Sequence, residues 1–155
     1  MPNSKQIIEG IYRHIQENNL SKVLPLLDEH VQIHVPESLP FGGIYHGRAG
    51  YISLFSAITQ TWASLQTESI QYYTRNDVPD DVVVATGELR AQLQRNNAPY
   101  AMPFMNHWHL KDGKVIELTV FYWDTALLLA TFHKNLPGPA SSNGIYPTGP
   151  ESPQS

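Results

Sequence analysis

Residues 99–123 read PYAMPFMNHWHLKDGKVIELTVFYW, and this stretch decides the fold. Asp112-Gly113 is a turn dipeptide, and the residues on both sides of it are rich in the β-branched and aromatic types that strands prefer. The stretch therefore predicts a β-hairpin. Similar segments precede it, so four long antiparallel strands are predicted, over about 68–76, 81–95, 99–111 and 114–123.

Helical patterns dominate the chain before these strands. Asn3 and Gln6 have the spacing of a capping box, and apolar residues then recur at helical spacing, which predicts a first helix to about Glu17. Ser21 is the predicted cap of a second helix over 20–29. A third helix is predicted from apolar residues along one face, namely Tyr51, Phe55, Ile58 and Trp62.

A short strand and a closing helix complete the pattern. Residues 31–35 alternate as a strand does, with Gln32 and His34 on one face. The Pro- and Gly-rich stretch 36–50 is predicted to be an ordered loop. Asp124 is placed to cap a last, short helix.

This order of elements predicts one α+β domain over residues 1–134, with three N-terminal helices against a strongly curved, mainly antiparallel sheet and a short C-terminal helix. Residues 135–155 are dominated by Pro, Gly and Ser and are predicted to be a flexible tail. Several strands are apolar on both faces, and residues 82–85 (VVVA) are one example. A homodimer packed through the outer face of the sheet is therefore expected.

Composition excludes several classes of function. The chain has no cysteine, which rules out disulfides, thiolate metal sites and cysteine nucleophiles. Its net charge is −4 and its few Lys and Arg residues are scattered, so nucleic acid is not an expected partner. The sequence has neither a signal-peptide pattern nor an apolar stretch long enough to span a bilayer, so a soluble, cytoplasmic protein without a membrane partner is expected.

Two motifs carry a resemblance to a known family. One is Val35-Pro-Glu-Ser-Leu-Pro-Phe-Gly-Gly-Ile-Tyr-His-Gly-Arg48, and the other runs from Lys111-Asp-Gly-Lys-Val-Ile-Glu117 to Tyr122-Trp-Asp-Thr125. With the order of elements, they resemble the SnoaL-like branch of the nuclear-transport-factor-2-like superfamily over about residues 4–133. The resemblance implies a cone of three helices and a bent sheet, a homodimer, and an interior pocket for a small apolar ligand without a fixed cofactor. Function on such a scaffold depends on individual pocket residues.

The ketosteroid isomerases of this superfamily imply a set of catalytic positions. A carboxylate at the end of their first strand moves the proton, and here His34 stands in the matching stretch, with Glu37 as a second candidate base. A tyrosine and an acid hold the oxyanion in those enzymes, and a rough alignment implies Tyr12 and Asn106. Non-catalytic interpretations stay open for all three residues. His34 can have a structural role, Glu37 can be solvated on its loop, and Tyr12 can be an ordinary core residue.

Other members of the superfamily match less well. Limonene-epoxide hydrolases use an Asp–Arg–Asp set, but this chain has Thr119-Val120-Phe121 where one acid belongs. SnoaL-type cyclases use a histidine and an aspartate, and His107 or His109 would supply only the histidine. These two histidines share a strand face, but Glu117 is expected opposite Trp108 and therefore on the other face, so no metal site is predicted.

Aromatic and polar side chains are the predicted lining of the pocket. Arg48 lies where the mouth of the cone is expected, and it is a candidate for holding a ligand carboxylate or for pairing with an acid on the third helix. The predicted ligand-binding residues are Glu37, Tyr45, Arg48, Phe55, Trp62, Phe104, His107, Trp108, Phe121, Tyr122 and Trp123.

Two functions follow from these residues. The first is an isomerase or cyclase that acts by proton transfer on a small carbonyl-containing or polycyclic molecule, with His34 as the proton shuttle and Tyr12 or Asn106 as oxyanion partners. The second is a non-catalytic module that binds or carries an apolar ligand, or mediates assembly through its sheet. The missing acids favour the second function, and the sequence leaves the choice open.

Overall fold

The computed structural model describes residues 2–75 and 81–134, so the predicted tail, 135–155, lies outside the described residues. None of the helices in the described residues is long and apolar enough to cross a membrane. In chain order the elements are α1 (Ser4–Gln16), α2 (Leu20–Val23), a 3₁₀ turn (Leu24–Leu26), β1 (Leu27–Val35), β2 (Gly43–His46), α3 (Gly47–Thr61), β3 (Trp62–Arg75), β4 (Asp81–Leu93), β5 (Pro99–Lys111), β6 (Lys114–Tyr122) and α4 (Thr125–Phe132).

The strands of the described residues form one curved sheet in the order β2-β1-β6-β5-β4-β3. β1 and β6 run parallel, and the other neighbouring pairs run antiparallel. Side chains alternate between an inner face, which is covered by helices, and an outer face. On the inner face Ala85, Phe104, Trp108 and Leu118 are buried. The predicted α+β class with a bent, mainly antiparallel sheet is confirmed.

The first helix forms as predicted and supplies much of the core. Asn3 Oδ1 accepts a hydrogen bond from the backbone N–H of Gln6 at 2.9 Å, and Gln6 Oε1 accepts one from the backbone N–H of Asn3 at 2.9 Å. This capping box starts α1. The apolar stripe of α1 then packs on the inner face of the sheet, and each fully buried aliphatic side chain in it contributes about 1.5–3 kcal/mol. Its buried apolar members are Ile7, Ile8, Ile11 and Tyr12.

The second predicted helix, 20–29, is wrong in its second half. α2 is only one turn long, and β1 already begins at Leu27. Pro25 lies in the 3₁₀ turn between them, because a proline supplies no N–H to continue an α-helix. Ser21 is not the cap, since Asn19 precedes the helix and Ser21 Oγ donates a hydrogen bond to Asn19 Oδ1 at 2.8 Å.

A short strand, β2, lies inside the stretch that was predicted to be a loop. Its four residues pair antiparallel with the end of β1, His34 lying opposite Ile44. Gly43 and Gly47 stand at its two ends with φ of 122° and 71°, a region that side chains with a Cβ rarely adopt. Strand β2 is too short to show alternation, which explains why its sequence reads as a loop.

A β-bulge reverses the predicted face of Glu117. Leu110 pairs with Val115, but the next residue of β5, His109, pairs with Glu117, so that Ile116 is the extra residue of β6. The pairing of Glu117 with Trp108, and its placement opposite the histidines, are therefore wrong. Glu117 lies on the outer face together with His109.

Candidate ligand-binding site

Tyr12 is the centre of a hydrogen-bonded cluster on the inner face. Its phenolic oxygen accepts a hydrogen bond from Asn106 Nδ2 at 2.7 Å and a second from Trp108 Nε1 at 3.2 Å. Its ring lies against Trp108, Tyr72 and Phe104, with ring centroids 5.7, 6.1 and 6.3 Å away. Tyr12 is 7% exposed, so the cluster is largely shielded from solvent.

Alternation along β5 brings these groups together. Asn106 and Trp108 point inward, whereas His107 and His109 point outward, because successive side chains of a strand face opposite sides. The neighbour of Asn106 on β4 is Ala85, which is fully buried. Tyr12 reaches the same place from the buried stripe of α1.

Burial keeps Tyr12 neutral. It raises the pKa of the phenol well above its usual value, and the N–H donors of Asn106 and Trp108 offset only part of this rise. Burial likewise raises the pKa of Tyr51 and Tyr122. Burial, with a smaller contribution from the Asp124 carboxylate, raises the pKa of Tyr100 to about 12. The interior therefore offers uncharged phenol groups at physiological pH.

A small cavity of about 70 Å³ adjoins the cluster, and Asn106 is part of its wall. Asn106 Oδ1 is buried and has no hydrogen-bond partner in the described part of the chain. The residues that line the cavity are Thr67, Leu89, Phe104, Asn106, Val120, Phe121 and Tyr122, and this set, drawn from residues 2–75 and 81–134, contains no acid, base or charged group apart from the phenol of Tyr122.

His34 lies on the outer face, away from this cluster. Its Nε2 is 2.9 Å from Glu117 Oε2, and Nδ1 of His109 is 4.0 Å from Glu117 Oε1. Its neighbours on the same strand, Ile33 and Val35, are buried on the inner face. The sheet thus separates the imidazole of His34 from the other two predicted catalytic residues, which the structure does bring together.

The predicted residues at the mouth of the cone have local structural contacts. Arg48 donates from Nε and Nη2 to the backbone carbonyl of Leu27 at 2.9 and 2.7 Å, so the guanidinium is engaged with the chain rather than with an acid. Tyr45 Oη donates to the carbonyl of Phe41 at 2.7 Å. Glu37 is exposed on the loop after β1.

The predicted aromatic lining divides between the two faces. Phe104, Trp108 and Tyr122 are on the inner face, and Phe55 is half-buried on α3. Trp62 is buried against Tyr100 and Phe132 rather than at the cavity. Three predicted residues are on or near the outer side: His107 is half-buried, Phe121 is 45% exposed and Trp123 is 72% exposed.

An open cleft of about 540 Å³ lies by Phe121 and Trp123. Alternation places the side chains of Thr86, Met105 and Phe121 on the outer face of the sheet, and all three line this cleft. Its walls are mainly apolar. Phe104, Phe121 and Tyr122 line both the cleft and the inner cavity, so the two adjoin at this end of the sheet.

Some residues of the site were not among those predicted from the sequence. Val120, Leu89 and Thr67 line the cavity, and Phe41 contacts Tyr122 with ring centroids 6.2 Å apart. Alternation with Tyr122 was a usable signal for Val120. Phe41 carried no signal, because its burial depends on how the loop folds back onto the sheet.

No group of three or more His, Asp or Glu side chains in the described residues is arranged to hold a metal ion. The bulge brings His34, His109 and Glu117 to one face, but their closest contacts are the pairwise ones given above.

Comparison with known families decides the identity of this fold. The family model of the SnoaL-like domain matches residues 8–118, most of the chain. The chain belongs to the SnoaL-like family. A search of curated protein sequences finds no significant match to it.

Solved structures similar to this SnoaL-like domain share its fold at low sequence identity. A nuclear-transport-factor-2-like protein of unknown function from Burkholderia pseudomallei has 19% identity and a TM-score of 0.72, covering 86% of this chain and 99% of that one. A candidate polyketide cyclase from Pseudomonas putida has 14% identity and a TM-score of 0.71, covering 83% and 98%. TerC, co-crystallised with polyporic acid, has 18% identity and a TM-score of 0.66, covering 81% and 94%.

Proposed function

We propose that this SnoaL-like domain binds a small, mainly apolar molecule between its helices and its sheet, beside Tyr12 and Asn106. The observation that carries this proposal is the mainly apolar cavity whose wall includes Asn106, the residue that hydrogen-bonds to the buried Tyr12. Aliphatic and aromatic walls with a few polar groups are typical of small-molecule sites.

The cavity has to widen before it can hold a ring-sized ligand. About 70 Å³ holds roughly two waters at about 30 Å³ each, which is less than a ring-sized ligand needs. Tyr122 lines the cavity and packs edge-on against Phe41, with ring centroids 6.2 Å apart. Binding of an aromatic fragment therefore requires side chains of this wall, such as Tyr122, to move.

The proton-transfer function is the second candidate, and the Tyr12–Asn106 contact favours it, because a neutral phenol in a dry site suits a developing oxyanion. An isomerase or cyclase also needs a base within hydrogen-bond reach of the substrate. His34 bonds to Glu117 on the outer face and Glu37 is exposed on a loop, so neither adjoins the inner cavity. Ligand binding without catalysis is therefore the preferred function.

Uptake of anisole, a small apolar probe, tests the binding proposal. Val120→Phe fills the cavity from its wall, whereas Thr119→Phe, one residue away, adds the same ring to the outer face. Saturation-transfer NMR should detect anisole on the wild type and on Thr119→Phe, with at least a tenfold weaker Kd for Val120→Phe. Overpacking costs about 1–3 kcal/mol, so circular dichroism must first show that both variants are folded. Equal uptake by both variants contradicts the proposal.

A homodimer through the outer face is a further part of the proposed function. Tyr73, Met105 and Phe121 are large apolar side chains that are 55%, 40% and 45% exposed on this face. Val82 and Val84 lie beside them on β4, opposite His109 and His107. A stable interface needs roughly 800 Å² from each partner, and exposed apolar side chains on a sheet face favour such an interface. Light scattering after gel filtration tests for the dimer mass.

A further inference from the structure

Four of the seven histidines of the chain lie together on the outer face of the sheet. They occupy two neighbouring cross-strand rows, each row being a set of residues paired side by side on adjacent strands. His34 and His107 share one row, and both pair with the same residue of β6. His46 and His109 share the next row, in which Glu117 pairs with His109. Strand pairing thus groups four imidazole rings that come from three strands.

The histidine rows continue directly into the exposed apolar side chains of the same face. His107 pairs with Val84 on β4, and Val84 pairs with Tyr73 on β3, which is 55% exposed. His109 pairs with Val82. We propose that the four histidines form part of the interface between two copies of this chain, and that proton uptake by their imidazoles separates the copies. This inference rests on the homodimer of the proposed function and adds a means of regulating it.

The two rows have too few acids to balance protonated imidazoles. Among the described residues of the rows, Glu117 is the only acid. Its carboxylate lies 2.9 Å from His34 Nε2 and 4.0 Å from His109 Nδ1, so it can balance one positive charge. No acid in the described part of the chain forms an ion pair with His46 or His107. Protonation therefore leaves each copy with a surplus of positive charge on the face that meets the other copy, and like charges across an interface repel.

The other charged groups around the rows do not supply the missing acid. The basic groups nearest the histidines are Arg75, Lys111 and Lys114. The remaining acids of the described strands either have another partner or lie two rows away. They are Asp28, Glu29, Glu68, Asp81 and Glu88.

Burial under a second copy acts in the same direction as the repulsion. An imidazolium loses more hydration free energy on burial than a neutral imidazole does, so the dimer binds fewer protons than two separate copies at acidic pH. Imidazole takes up its proton between about pH 5 and 8. A fall in pH through this range therefore weakens the dimer, and a rise in pH restores it. The isoelectric point of the sequence is about 5.9, so repulsion between the whole molecules is small in this range and does not separate them.

The dimer Kd at two pH values tests the inference. Each proton taken up on separation raises the Kd about tenfold per pH unit, so one proton for each copy over about one unit raises it about a hundredfold. Analytical ultracentrifugation of the wild type should show this change between pH 7.5 and pH 5.5. The double variant His107→Gln, His109→Gln should reduce the ratio to about tenfold or less. The matched control His14→Gln, His133→Gln removes two histidines from α1 and the end of α4 and should keep the ratio. Circular dichroism at both pH values must first show that all three proteins are folded.

A count of the protons gives a second test that needs no variant. Dilution calorimetry of the wild type near pH 6.5, in buffers with different ionisation enthalpies, should show uptake of about one to two protons as each dimer separates. A wild-type dimer whose Kd is unchanged or smaller at pH 5.5, or that takes up no proton, overturns the inference and leaves the proposed dimer standing. An equal ratio for the two double variants also overturns it. A wild type that is monomeric at pH 7.5 contradicts the proposed dimer, and the inference falls with it.

Discussion

Neighbouring residues on β5 serve different surfaces of this molecule. Asn106 and Trp108 point inward to Tyr12, whereas His107 and His109 point outward, and His34 on β1 points outward as well. The inner side thus holds neutral hydrogen-bonding groups, and the outer side holds the imidazole rings. Binding in the interior therefore does not need the imidazole of His34.

Replacing His34 by alanine tests this division at the residue scale. The His34–Glu117 pair is partly exposed, so its loss should lower the free energy of unfolding by no more than about 1 kcal/mol. Anisole uptake by His34→Ala should stay within about twofold of the wild-type Kd. Gln32→Ala, on the same strand face, is the matched control. If His34→Ala, but not Gln32→Ala, weakens the Kd for anisole more than tenfold, His34 is part of the binding site.

At the scale of elements, α4 closes one end of the core. Asp124 accepts a hydrogen bond from the backbone N–H of Leu127 at 2.9 Å and so starts the helix. Leu128 and Phe132 of α4 are buried, and Phe132 lies 6.3 Å from Trp62 between ring centroids.

Asp124→Ala should destabilise the protein through this cap. The loss is expected to be about 1 kcal/mol, within a range of roughly 0.5–2, because a backbone N–H in the first turn of α4 loses its acceptor. Urea unfolding followed by circular dichroism measures it. Asp124→Asn keeps an acceptor oxygen and should recover most of the loss. If both substitutions cost the same, the cap is not what Asp124 contributes.

Elements with a repeating pattern or a capping residue could be predicted from the sequence, and a short strand without either could not. β5 matches its predicted bounds, β6 ends one residue earlier than predicted, and the caps of α1 and α4 are the predicted residues. β2 has four residues in a Pro- and Gly-rich stretch and shows no period. The bulge at Ile116 shifts the register by one residue, which no local pattern indicates, and that shift misplaced Glu117.

The candidate site could be predicted from the sequence only in part. Tyr12 and Asn106 lie 94 positions apart, yet a family resemblance brought them together, and the structure places their polar atoms 2.7 Å apart. The face of β5 that looks inward could not be read from the sequence, because both faces carry polar and apolar residues. The cavity itself depends on packing between Leu89, Phe104 and Val120, which come from three different strands.

At the scale of the whole molecule, the outer face of the sheet should hold two copies together. Phe121→Glu places a charge among the exposed apolar side chains of that face and should convert the proposed dimer to a monomer, since an unpaired charge in an apolar interface is costly. Ser53→Glu, on an exposed turn of α3, is the charge-matched control and should stay dimeric. Light scattering after gel filtration gives the masses. A wild-type protein that is monomeric at micromolar concentration contradicts the dimer.

Contacts between a bound probe and the protein test the central claim most directly. Isotope-edited nuclear Overhauser spectra of the labelled protein with unlabelled anisole should show contacts to the methyl groups of Val120 and Leu89 and to the indole of Trp108. These groups lie at or beside the inner cavity. Contacts confined to Met105 and Thr119 on the outer face, with none to the inner groups, would contradict an interior binding site.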